Sequence, residues 1–238
     1  MYYYVDNHKI YIDENKKPYG YGSEGKCYKE KHQIYKIYHP HILDEKHETF
    51  HQKLLGINTK QIILPNALIY DTNQNYVGYR TIIVNGEQNI LKKHGITTLP
   101  KEKLISNLKI LTHDMKLLSN NYVLTSDVGP VNYFFDKTND KMYIIDPGRY
   151  RVFRNTSRNI RKYCQKNNNM NLDNLISKLL YNDFLKYKPI NSKEKCITLR
   201  DYIMYDKEDK SYYHYFDSVL NPNETINDYA KKIKKHLK

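Results

Sequence analysis

Leu104, Leu108, Leu111, Met115 and Leu118 recur at alternating four- and three-residue steps, which puts all five on one face of a helix over 101–119. Upstream the apolar positions alternate in short runs instead. Tyr2–Val5 and 9–13 flank Asp6-Asn7, and 26–29 and Gln33–Tyr38 flank a polar turn. Residues 67–71 and Tyr76–Ile82 flank Thr72-Asn73-Gln74-Asn75, so each pair reads as strands joined by a turn. A helix over 42–55, with Leu43, Phe50 and Leu54 on one face, interrupts this series. Behind the long helix, 131–135 and 142–145 read as strands around a polar turn at 137–140. An Asn-rich loop at 167–171, a helix over 172–186 and a basic terminal helix over 225–237 complete the pattern. It predicts an α+β chain with a strand-rich front at 1–84, a hinge near 84–86 and a mostly helical rear at 85–238.

A chain of 238 residues can bury a sizeable core as one large domain or two small lobes. With 39% hydrophobic and 27% charged residues it reads as globular rather than disordered. The 25 tyrosines accompany a general abundance of Lys, Asn and Ile, so composition alone demands no special role for them. A net charge of +13 favours anionic partners, among them nucleotides, nucleic acid and acidic surfaces. The densest basic run holds Arg149, Arg151, Arg154, Arg158, Arg161 and Lys162, and a second lies over 231–238. Cys27, Cys164 and Cys196 are odd in number and far apart, which excludes a disulfide framework and a Cys-rich zinc site. The N-terminal MYYYVDNHKI has no signal-peptide pattern and no apolar run approaches a membrane span, so a cytoplasmic protein without a membrane partner is expected.

The chemistry concentrates in Asp127-Val128-Gly129-Pro130-Val131-Asn132, followed by Ile144-Ile145-Asp146-Pro147-Gly148. In phosphoryl transfer one carboxylate orients the acceptor hydroxyl, while an amide oxygen and a second carboxylate hold metal ions. Asp127, Asn132 and Asp146 have the residue types and order for those roles, with Asp146 at the end of an apolar strand. Each alone also suits an ordinary turn; the combination makes the functional reading the better one.

Upstream, Gly20-Tyr21-Gly22-Ser23-Glu24-Gly25-Lys26-Cys27 matches G-x-G-x-x-G-x-V with Cys in the last position. Glycines let a backbone approach phosphates that a Cβ would obstruct. Strands on both sides favour a hairpin over the phosphates rather than a dinucleotide-binding strand–helix unit. Lys36 shares a strand face with Ile34, so an inward Lys36 needs an anionic partner: phosphate oxygens together with a carboxylate. Glu48 on the following helix is the first candidate for that carboxylate and Glu45 the second. His47 and His51 have the spacing of a helical metal pair, with His39 and His41 nearby. No further ligand pattern accompanies them, and surface histidines are the simpler reading. Tyr212, Tyr213 and Tyr215 cluster around His214, as a base-stacking or a packing group would.

Taken in order, these residues resemble the protein-kinase-like superfamily, especially its small, divergent bacterial or phage-type domains. Gly20, Gly22 and Gly25 match the glycine-rich loop, and Lys36 matches the strand lysine. Asp127 and Asn132 match the catalytic-loop D-x-x-x-x-N, and Asp146-Pro147-Gly148 matches D-F-G. The resemblance covers 20–148. It implies a bilobal fold with ATP and Mg²⁺ in the cleft: Gly20, Gly22, Ser23, Gly25, Lys36 and Glu48 around ATP, Asn132 and Asp146 on the metal, and Asp127 with Lys36 as catalytic residues.

The departures are equally specific. Thr125-Ser126-Asp127 stands for H-R-D, Pro147 replaces the D-F-G phenylalanine, and no A-P-E follows. Control by activation-loop phosphorylation and peptide positioning of the usual kind are therefore not expected. The implied activity is transfer of the γ-phosphate of ATP to a hydroxyl, on a protein Ser/Thr or a small molecule. The alternatives are a nucleotide-binding pseudokinase scaffold, nucleotidyl transfer by ATP bound in the reverse sense, and nucleic-acid binding.

Overall fold

The structure is a computed structural model that describes residues 1–88 and 101–181. The 225–237 helix, the Tyr212–Tyr215 cluster, the 231–238 basic run, Cys196 and the end of the 172–186 helix lie outside those residues, as does the side chain of Glu45.

The fold is α+β. Seven strands form one curled antiparallel sheet: β1 (Tyr2–Val5), β2 (His8–Tyr11), β3 (Gly20–Tyr21), β4 (Gly25–Glu30), β5 (Gln33–Tyr38), β6 (Ala67–Tyr70) and β7 (Tyr76–Ile82), in spatial order β2-β1-β6-β7-β5-β4-β3. The anticipated hairpins form, with Asp6 and Asn7 both at positive φ in the first turn. In the β4–β5 ladder Gly25 faces Tyr38 and Cys27 faces Lys36. A Cβ on Gly25 would collide with the carbonyl oxygen of Ile37, so this glycine is required by close strand packing. Tyr3, Val5, Ile12, Tyr28, Ala67 and Ile69 form the core of this part.

Helix α1 (Glu45–Leu54) is shorter than the expected 42–55, because Asp44 caps it. The Asp44 carboxylate accepts from the Lys46 and His47 amides at 2.9 and 3.1 Å, and a separate 3-10 turn takes up Pro40–Ile42. His51, expected at the surface, is fully buried. Its Nδ1 lies 2.8 Å from the His47 carbonyl and 2.9 Å from the Tyr76 hydroxyl, and its Nε2 lies 3.2 Å from the Tyr38 hydroxyl.

The long helix α2 (Lys101–Asn120) buries all five residues of its apolar stripe completely. They pack in a second core with Leu54, Ile62, Tyr133, Met142 and Leu172. Strand β8 (Glu87–Gln88) joins β10 (Tyr133–Asp136) and β11 (Lys141–Ile144) in a small sheet, while β9 (Val123–Leu124) pairs with β12 (Arg151–Val152). Residues 130–132 turn as a 3-10 helix before β10, rather than starting the strand at 131.

Helix α3 (Arg158–Tyr181) runs straight through the expected loop at 167–171. Asn168 is fully buried: its amide nitrogen donates to Ser119 Oγ and the Val123 carbonyl, and its oxygen accepts from the Thr125 amide and hydroxyl. Asn171 donates to the Thr125 carbonyl at 2.7 Å. These partners remove the local competition that makes asparagine a poor helix residue.

Two buried polar groups lock the 60–62 segment against the rear elements. Asp114 Oδ2 accepts from the amides of Lys60, Gln61 and Ile62 at 3.0, 2.7 and 3.2 Å. Asn107 accepts from Gln61 Nε2 and the Met142 amide. Ile62 bridges to Ile144, so the segment runs beside β11 and carries Ile63 to the cavity described next.

Candidate active site

A cavity of about 430 Å³ lies between the β3–β4 hairpin, the face of β5 and β7, and the turns around 127–132 and 145–149. One part of its wall is apolar, with Ile34, Ile63, Ile82, Val84, Val131 and Phe134. The remaining wall carries Glu24, Lys36, Asp127, Asn132, Asp146 and Arg149. Gly20, Gly22, Ser23 and Gly25 line it from the hairpin. Thus every residue singled out for ATP, metal or catalysis reaches this cavity, with the exception of Glu48.

Lys36 points inward from β5, as strand alternation implies, and is 5% exposed. Its ammonium donates to Asp146 Oδ1 at 2.5 Å and to Glu24 Oε2 at 2.9 Å, with the rings of Tyr38 and Tyr79 within 6 Å. Burial opposes the charge, but the Asp146 and Glu24 carboxylates outweigh it and hold the amine above the ordinary lysine range.

The expected Lys36–Glu48 pair does not form. Glu48 instead accepts from the Tyr70 hydroxyl at 2.8 Å. Glu24, inside the glycine motif itself, is the second carboxylate on Lys36. Its other oxygen accepts from Arg149 Nε at 2.7 Å. Burial opposes the Glu24 charge, yet the Arg149 hydrogen bond and the Lys36 charge hold its carboxyl below the ordinary glutamate range. Gly148 makes room for this cluster: a Cβ there would lie 2.8 Å from Glu24 Oε2 and 3.1 Å from Lys36 Nζ. The signal for Glu24 was its place in a tight hairpin whose register lays 25 and 27 beside 38 and 36. Glu24 then closes over the same face.

Asp146 sits at φ 59° and caps the 3-10 turn Pro147–Arg149. The Tyr79 hydroxyl donates to the same oxygen as Lys36, at 3.1 Å. Asn132 is brought beside this turn by the bond from the Ile145 amide to its carbonyl at 2.9 Å. Its side-chain nitrogen donates to the Asp127 carbonyl at 2.8 Å, which turns the amide oxygen the other way. Asp127 is exposed and held at φ 56°, and among the described residues nothing hydrogen-bonds its carboxylate.

The donor set fits a magnesium–phosphate group. The Asn132 amide oxygen and the Asp146 carboxylate are hard oxygen donors, and an ion held by only one or two protein oxygens completes its shell from phosphate and water. Among the described residues no group of three or more His, Cys, Asp and Glu is placed to hold a metal ion. His47 and His51 form no metal pair, since both His51 nitrogens have neighbours within hydrogen-bond distance.

No protein-family model matches the chain, and no curated protein matches it significantly. No helix among the described residues is long and apolar enough to cross a membrane.

Proposed function

We propose that the chain is an ATP- and Mg²⁺-dependent phosphotransferase with a bilobal, protein-kinase-like arrangement. The carrying observation is the buried Lys36 bonded to Asp146 inside a cavity that also gathers the glycine hairpin, Asn132 and Asp127. The apolar wall accepts the base, and the hairpin backbone around Gly22, where a Cβ would meet nothing within 4 Å, covers the phosphates. Lys36 binds phosphate oxygens through the donor it does not spend on Glu24 and Asp146. Asn132 and Asp146 hold Mg²⁺, which offsets charge on the transferred group. Asp127 accepts the hydroxyl proton of the acceptor as its oxygen bonds to the γ-phosphorus and ADP leaves. The acceptor is a protein Ser/Thr or a small-molecule hydroxyl.

A second reading, a nucleotide-binding pseudokinase, draws on one observation: Glu24 already occupies Lys36 and Arg149 as a phosphate would. ATP labelled separately at the α and γ positions, incubated with Mg²⁺, the protein and an acceptor panel, separates the readings. The γ-label on a product is the expected result. An α-label means nucleotidyl transfer, and a thermal shift by Mg²⁺–ATP without either label means a pseudokinase. The absence of both labels and of any thermal shift refutes nucleotide chemistry at this site.

A further inference from the structure

A second, larger groove opens beside the cavity and shares Glu24, Asp127 and Arg149 with it. It measures about 1020 Å³ and lies between α1 and the strand segment around β12. Lys46 and Lys53 line it from the helix, and Arg151 and Arg154 line it from the opposite side. All four are exposed, and none forms an ion pair with a described residue. The acids of the groove are otherwise engaged or assigned: Asp44 caps α1 and bonds His47, Glu24 holds Lys36 and Arg149, and Asp127 lies at the end that meets the cavity. The groove is therefore a positive channel that leads to the carboxylate proposed to orient the acceptor.

We propose that this groove docks an acidic polypeptide segment that presents the acceptor Ser or Thr to Asp127, an inference that rests on the phosphotransferase reading. Lys46 and Lys53 are seven residues apart, so about 10.5 Å separates them along the helix axis. That span matches three or four residues of extended chain at about 3.3 Å each and exceeds one phosphate group. Single-stranded nucleic acid is the less suitable polyanion. It binds best where aromatic faces stack its bases, and the groove's aromatic rings are committed elsewhere: Tyr150 is 4% exposed and Phe50 packs against the core. Unpaired cations attract an acidic chain and exclude a basic one, which gives specificity without the missing A-P-E segment.

The test is a fluorescence-anisotropy titration of the full chain with a short labelled peptide of Asp, Glu and Ser, with Mg²⁺–ATP present. The expected result is binding that weakens with salt and falls at least roughly tenfold in the Lys46→Glu, Lys53→Glu, Arg151→Glu, Arg154→Glu variant. That variant is expected to keep the Mg²⁺–ATP thermal shift and to bind a Lys/Ser peptide instead. Equal affinity of wild type and variant for the acidic peptide overturns the proposal, as does tighter binding of a single-stranded RNA of equal charge that the same substitutions abolish. A wild-type protein that shows neither a Mg²⁺–ATP shift nor γ-label on any product refutes the phosphotransferase reading, while the peptide arm still decides the groove.

Discussion

The two aspartates of the cavity stand in opposite surroundings. Asp146 shares one oxygen between Lys36 and Tyr79, at 2.5 and 3.1 Å, and caps its own turn. Asp127 offers only its backbone carbonyl, to Asn132, and leaves its carboxylate exposed. Asp146 is therefore part of the fold's electrostatic framework, and changing it disturbs structure together with the metal-binding role proposed for it. Asp127 adds no side-chain hydrogen bond to that framework, only a charge near Arg149. A free carboxylate held at positive φ at the mouth of a cavity is the arrangement expected of a group whose partner arrives with the ligand.

The largest expected effect tests the Asp127 side of this contrast. Asp127→Asn is expected to lower phosphoryl transfer by roughly 10²–10⁴-fold while the melting temperature stays put. Transfer at the wild-type rate would remove Asp127 from the chemistry. A large drop in melting temperature would instead show that it is structural.

On the Asp146 side, Lys36→Met leaves Asp146 and Glu24 facing each other without the cation they share, although Arg149 still holds Glu24. A loss of about 2–3 kcal/mol in urea unfolding is expected. The value is set below that of a fully buried pair because the Asp146 side chain is 36% exposed. An unchanged unfolding midpoint would mean that solvent already screens the cluster.

The smallest effect lies behind the Lys36 wall, at His51. Burial pushes its pKa down to about 3, so it is neutral in the folded protein. The unfolded chain takes up a proton near pH 6.5, the ordinary histidine value, so it binds more protons than the folded state below that pH. The stability that neutral His51 contributes is thus complete above about pH 6.5 and is lost as the pH falls toward about 3. Urea midpoints measured between about pH 7 and 5 should fall less steeply for His51→Gln than for wild type. Parallel curves would show that His51 does not stay neutral.

How much was legible in the sequence varied with the kind of partner each residue uses. The helix at 101–119 was legible because its evidence is internal: five apolar residues at helical spacing need only some core, and all five are fully buried. The hairpins were legible because their turns carry residues that tolerate positive φ, such as Asp6 and Asn7. The run at 167–171 looked like a loop because asparagine favours local bonds to its own backbone. Asn168 finds its partners instead on Ser119, Val123 and Thr125, more than forty residues away.

The candidate site divides in the same way. Residue type and spacing along the chain were enough to single out Lys36, Asp127, Asn132 and Asp146, since short turns and an alternating strand constrain where such side chains point. Helical phase could not choose between Glu45 and Glu48, and neither choice anticipated Glu24. That partner depends on how the β3–β4 hairpin curls over β5, which is a matter of sheet packing around Gly25 and Gly148 rather than of any local pattern. Periodicity and turn preference act over a few residues, so they foretold the long helix, the hairpins and the chemical types available to the cavity, but not the helix through 167–171. Which charges neutralise one another and which remain free lies beyond any local pattern, because electrostatic pairing depends on distances set by the whole fold.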